Sequence, residues 1–139
     1  MAADTREMVA VRYVRNKIVA ASTEAGSQIY TGVAVQGAAY PFVVVEIVSR
    51  DESETQDSGS AVDTFRVQVD CYAKSDGSTS GYEKAARISD QIRSALSRST
   101  DYTTYDCDID GVQEAGHLTD YIPEIEVYRA TNDYMIRIK

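Results

Sequence analysis

Two neighbouring stretches limit what this chain can fold into. The first, Tyr40-Pro41-Phe42-Val43-Val44-Val45-Glu46-Ile47-Val48-Ser49, is a nearly continuous β-branched run opened by a proline. Proline suits a first strand position, where no ladder N–H is needed. The run reads as a strand buried on both faces. The second runs from Val62 to Ala73 and alternates strictly. Phe65, Val67, Val69 and Cys71 point one way; Arg66, Gln68, Asp70 and Tyr72 point the other. That pattern describes a sheet with one face on a core and one face open to water or a partner. Between them, Arg50 to Ala61 is polar, acidic and free of large apolar residues. It reads as a long, mobile loop joining two antiparallel strands, either functional or a solvated hairpin tip.

The remaining elements arrange themselves around this pair. Asp4-Thr5-Arg6-Glu7 fits a capping box. The helix behind it runs to about Ser22, with an apolar stripe at Met8, Val11, Val14, Ile18 and Ala21. Val9, Val11 and Tyr13 also alternate as a strand would, but length, cap and alanines favour helix. Gly26 is placed just past its end. Gln28 to Val35 reads as one or two short strands. After the second main strand, Lys74 to Thr79 is loop by composition. Ser80-Gly81-Tyr82-Glu83 matches a second capping box, and the helix beyond it runs to about Ser97. Tyr82, Ala85, Ala86, Ile88, Ile92, Ala95 and Leu96 form its stripe, which covers the face carrying Phe65, Val67 and Val69. Strand patterns return at Tyr121–Tyr128 and Tyr134–Ile138, with a turn at Ala130-Thr131-Asn132-Asp133. Pro123 puts the first of these at an edge or bulge. The fold class is α+β: a mostly antiparallel sheet carrying two main helices, in a single domain over residues 1–139.

Charge and cysteine content exclude several functions. The chain has 139 residues, long enough to bury roughly two-thirds of its unfolded surface. Its net charge is −8, and no Lys/Arg cluster offers a grip on nucleic-acid phosphate. An acidic wall that lets DNA pass without sticking remains open. Cys71 and Cys107 are too few for a disulfide framework, and Cys71 packs as a small hydrophobe. The charged first twenty residues do not read as a signal peptide, and no apolar run reaches transmembrane length. The expectation is a soluble chain made inside the cell, with no membrane partner.

Candidate chemistry is sparse. Asp106-Cys107-Asp108-Ile109-Asp110-Gly111 matches the first half of a calcium-binding loop, in which alternate carboxylates wrap the ion. The twelfth position, where a bidentate Glu belongs, is His117. The match fails there, the flanking helices are missing, and an acidic turn or hairpin on the surface is the favoured reading of Asp106, Asp108 and Asp110. His117 is the single histidine, and neither a G-x-S-x-G elbow nor a Gly-rich phosphate loop accompanies it. No enzyme activity, metal or cofactor is expected. Ten tyrosines stand against no tryptophan. They suit either protein interfaces or simply sheets.

The order of elements resembles the tail-terminator, or tail-completion, proteins of long-tailed bacteriophages. The residues that carry the resemblance are Tyr40-Pro41-Phe42-Val43, Val69-Asp70-Cys71-Tyr72-Ala73 and the helix from Tyr82 to Leu96. The resemblance implies a small structural virion protein that forms a hexameric ring on the end of the tail tube. The ring stops tube polymerisation and makes the joint to the head–tail connector. Its partners are further copies of itself, the tail tube protein, the neck or connector protein, and genomic DNA passing without specific binding. It implies assembly in the host cytoplasm and a final place at the tail–neck junction. In such a ring, Asp51, Glu52, Glu54 and Asp57 are expected to line or approach the lumen. Another neck or head-completion role, or a calcium-binding module built on Asp106–Asp110, are the alternatives.

Overall fold

The computed structural model describes residues 6–54, 61–96 and 109–138. Helix α1 spans Arg6–Ala20 and strand β1 spans Ile29–Thr31. Strands β2 (Phe42–Glu54) and β3 (Ala61–Ala73) form the central hairpin, followed by helix α2 (Gly81–Leu96). Strands β4 (Ile109–Ile122) and β5 (Val127–Ile138) complete one sheet of order β1-β2-β3-β5-β4. The β1–β2 pair is parallel and the other three are antiparallel, so the fold is the mostly antiparallel α+β architecture expected.

Both helices lie on one face of the sheet. Val43 and Val45 on β2 and Phe65, Val67, Val69 and Cys71 on β3 pack there against Tyr13, Val14 and Ile18 of α1 and Ile88, Ile92 and Leu96 of α2. Each aliphatic side chain so buried contributes about 1.5–3 kcal/mol, offset by the entropy of ordering the chain. The alternation of β3 therefore places its side chains as read. Beside the core, Asn132 of β5 is fully buried and donates from Nδ2 to Ser89 Oγ of α2 at 2.6 Å. That bond satisfies a polar pair where the helix crosses the sheet.

Several expectations shift. The α1 stripe is Val9, Ala10, Tyr13, Val14 and Ile18, while Met8 is 47% exposed. The apolar face lies about one residue along from the expected one, because the aromatic Tyr13 takes the core position. The capping box at residues 4–7 begins outside the described residues. Helix α1 ends at Ala20, and Ser22, not Gly26, takes the first left-handed conformation (φ 53°), its N–H donating to Val19 O at 3.2 Å. On α2, Ser80 Oγ accepts from the Glu83 N–H at 3.1 Å, so that cap forms, but Tyr82 is 55% exposed instead of buried. In β2, Phe42 to Val45 are buried on both faces, yet Val48 is exposed at a bulge between Ile47 and Ser49.

Of the expected loop from Arg50 to Ala61, Arg50–Glu54 and Ala61 belong to the ladder, and residues 55–60 lie outside the described residues. Pairing continues from Arg50↔Phe65 to Glu54↔Ala61. The Arg50 guanidinium lies 5.4 Å from the Phe65 ring centroid and donates to Asp63 Oδ2 at 3.2 Å. Cross-strand contacts of this kind extend a hairpin through polar sequence. The last hairpin also differs. Its turn is Pro123–Glu126, and Ala130-Thr131-Asn132-Asp133 runs through the middle of β5. Turn-prone residues are held in a strand because Ala130 and Asn132 face the core and pair with Cys71 and Val69.

Candidate functional site

The sheet face opposite the helices is covered by no described element. It is a surface of paired side chains. Asp70, almost fully buried there, accepts from Thr131 Oγ1 at 2.6 Å and from Gln68 Nε2 at 3.0 Å. Arg66 donates twice to Asp133 Oδ2, at 2.6 and 3.2 Å. Arg129 and Asp120 form a two-pronged ion pair at 2.6 and 3.1 Å, the geometry in which a guanidinium–carboxylate pair is strongest. This pairing raises the Arg129 pKa further above its ordinary value.

One end of the sheet is aromatic. On the uncovered face the Phe42 ring stacks on Tyr72 at 4.9 Å between centroids, with Tyr40 at 5.0 Å and Tyr30 at 6.1 Å. On the helix side of the same end, Tyr128 meets Tyr121 at 4.7 Å and Tyr82 at 6.0 Å. Lys74 joins the two groups: its ammonium sits 4.8 Å from the Tyr40 ring centroid, and it lines a pocket of about 230 Å³ with Tyr121 and Tyr128. Six of the ten tyrosines therefore gather at one end. The Tyr72 phenol is raised above its ordinary value of 10, first by burial and then by Asp70, with Arg129 pulling the other way. Gly81 is required where α2 begins, because a Cβ there would lie 2.8 Å from both Ser75 N and Tyr128 Cδ2.

Two sheet edges are open. β1 pairs only with Val43–Val45, so residues 46–54 of β2 have no partner on that side among the described residues. The outer edge of β4 has no strand partner among the described residues. Beside the β2 edge runs a groove of about 700 Å³ between α1 and the sheet, lined by Met8, Val11, Arg12, Arg15 and Ile47 among others.

The sequence-derived candidates fall in different places. Asp51, Glu52 and Glu54 belong to β2, with side chains outside the described residues, as is Asp57. Asp106 and Asp108 also lie outside the described residues, and Asp110 is in β4. A twelve-residue calcium loop starting at Asp106 would end at His117, but from Ile109 onward the chain is extended and laddered to β5. No cluster of three metal-ligating side chains exists among the described residues. His117 Nδ1 donates to Asn132 Oδ1, and its Nε2 faces Thr119 Oγ1 at 3.4 Å. Its ring thus touches no carboxylate and no serine. Cys71 is fully buried, and burial raises its thiol well above the ordinary range, so it packs as an inert hydrophobe.

Sequence reasoning missed two buried charges: Asp70, read on the face open to water, and Asp63. Asp63 sits on the core face, 1% exposed, and its Oδ2 accepts from Arg6 at 2.9 Å and Arg50 at 3.2 Å. Its place two residues before Phe65 in the alternating run was the available signal.

Among the described residues the chain thus offers an uncovered sheet face, two sheet edges without a strand partner and an aromatic end, with no cluster of metal-ligating side chains. The chain belongs to the tail completion protein gp17 family, whose pattern it matches over residues 13–139. That family is one of structural virion proteins. The fold is similar to that of a chain in the virion of a native gene transfer agent (GTA) particle, with a TM-score of 0.65 and 12% identity, covering 97% of this chain and 98% of that one. No curated protein matches by sequence. None of the described helices is long and apolar enough to cross a membrane.

Proposed function

We propose that this chain terminates the phage tail: six copies form a ring on the end of the tail tube, stop its growth and make the joint to the head–neck connector. Membership of the tail completion family over nearly the whole chain carries the reading. The two open sheet edges support a ring. They lie on opposite sides of one sheet, so head-to-tail contacts between copies use both, and such contacts close into a ring when the rotation permits. One ring face copies the contacts that successive tube subunits make, and the other offers none, so polymerisation stops.

The ring sits at the tail–neck junction after assembly in the host cytoplasm. Its lumen passes DNA without gripping it, in keeping with the net charge of −8. Asp51, Glu52, Glu54 and Asp57 line that lumen, being the densest run of acid on the β2–β3 hairpin. A ring that carries them on its outer rim would refute this placement. Deleting the gene tests the function itself. The expected products are abnormally long tails or tails not joined to heads, counted by electron microscopy, and normal virions would overturn the reading.

A further inference from the structure

We propose that the aromatic end is a docking surface for a second protein, whose contact patch is apolar at its centre and rimmed with Lys and Arg. Tyrosine is large, rigid and tipped with a hydroxyl, and it is enriched where proteins meet. Here Tyr82 and Tyr121 are 55% and 45% exposed, and Ile125 is 49% exposed. The Tyr128 ring meets both tyrosines, and Ile125 follows Tyr121 by four residues in the turn that joins β4 to β5. The three rings form a connected aromatic surface, on a platform held by the Gly81 close approach and the Asp120–Arg129 pair.

Charge selects the partner. Around this end the carboxylates of Asp76 and Asp120 are paired with Lys84 and Arg129. Glu83, Glu124 and Glu126 are exposed and form no ion pair among the described residues. Against them stands the ammonium of Lys74, occupied by the Tyr40 ring. A second copy docking by the same end would bring these three carboxylates against their own equivalents, which costs energy. A DNA backbone would be repelled as well. A basic-rimmed protein complements the end on both counts.

The end also lies at the opposite end of the β2–β3 ladder from the Glu54–Ala61 pair. The proposal rests on the tail-joint reading only for its probes: tails purified from a phage lacking this gene, and DNA-filled heads from the same phage. Binding of the full chain to each is measured by co-sedimentation. The first variant is Glu124→Lys with Glu126→Lys; the second is Tyr82→Ser with Tyr121→Ser. The wild-type chain is expected to bind one probe, more weakly as salt rises. The glutamate variant is expected to bind that probe roughly tenfold less tightly or worse, with oligomer mass and thermal midpoint unchanged. If both variants bind as the wild type does, the docking surface is overturned and the joint reading stands. Loss of the oligomer in the glutamate variant would make this end a contact between copies and overturn the choice of partner. A wild-type chain that binds neither probe would overturn the joint reading and the docking proposal with it.

Discussion

Asp76 holds the turn before α2 with one carboxylate. Its Oδ1 accepts from the N–H groups of Ser78 at 2.8 Å and Thr79 at 2.7 Å, and Lys84 pairs with Oδ2. The Lys84 bond, followed by the two backbone N–H groups, pulls this carboxyl well below its ordinary 3.8. A carboxyl depressed in the folded state stabilises above its unfolded pKa and loses that contribution as pH falls through the folded value. Asp76→Asn is therefore expected to lower stability at neutral pH. The gap from wild type should narrow once the pH drops below 3.8, as urea melts at the two conditions will show. Gly81 nearby is constrained sterically rather than electrostatically. Gly81→Ala forces Ser75 or Tyr128 to move and is expected to cost about 1–3 kcal/mol, read as a lower denaturation midpoint. Of these two residues, the sequence marked Asp76 only as part of a loop. The need for glycine at position 81 arises from the Lys74–Ser75 backbone and from Tyr128, far along the chain, which come together only in the folded structure.

At the scale of elements, α2 and β3 were legible and α1 was legible only as a helix. In α2 and β3 the core positions are apolar except for Ser89 and Asp63, so period and burial agree over most of each element. In α1, apolar residues occur on adjacent positions, Val9, Ala10 and Val11, and two stripes compete. Packing against the sheet selects the one with Tyr13. Tyr13→Ala is accordingly expected to cost roughly 3–5 kcal/mol, whereas Met8→Ala should change stability by less than about 1 kcal/mol. Equal losses in a thermal melt would put the helix in the other rotation. The β4–β5 hairpin was misread for a related reason. Asn and Asp carry turn propensity, but Asn132 is satisfied by Ser89 and His117 from two other elements. Local preference yields to partners that local sequence does not reveal.

For the whole molecule, the decisive feature is a sheet with helices on one face and, among the described residues, no strand on either lateral edge. An open strand edge presents backbone donors and acceptors that another chain can pair with. Native mass spectrometry is expected to show a hexamer whose mass and abundance do not change on adding calcium or a chelator. A monomer carrying one tightly held calcium would favour the Asp106–Asp110 module instead.

The sequence by itself determined the fold class, the central β2–β3 pair, the helix that covers it and the resemblance to tail-completion proteins. These rest on periodicity and capping, which are local and repeat along the chain. Tertiary structure decided the length of the hairpin arm, the rotation of α1, the place of the last turn and the gathering of six tyrosines at one end. Each depends on contacts between residues far apart in sequence: Arg50 with Phe65 and Asp63, Tyr13 in the core, Asn132 with Ser89, and Tyr128 with Tyr82. Such contacts exist only once the sheet has set its register, because the register chooses which residues meet.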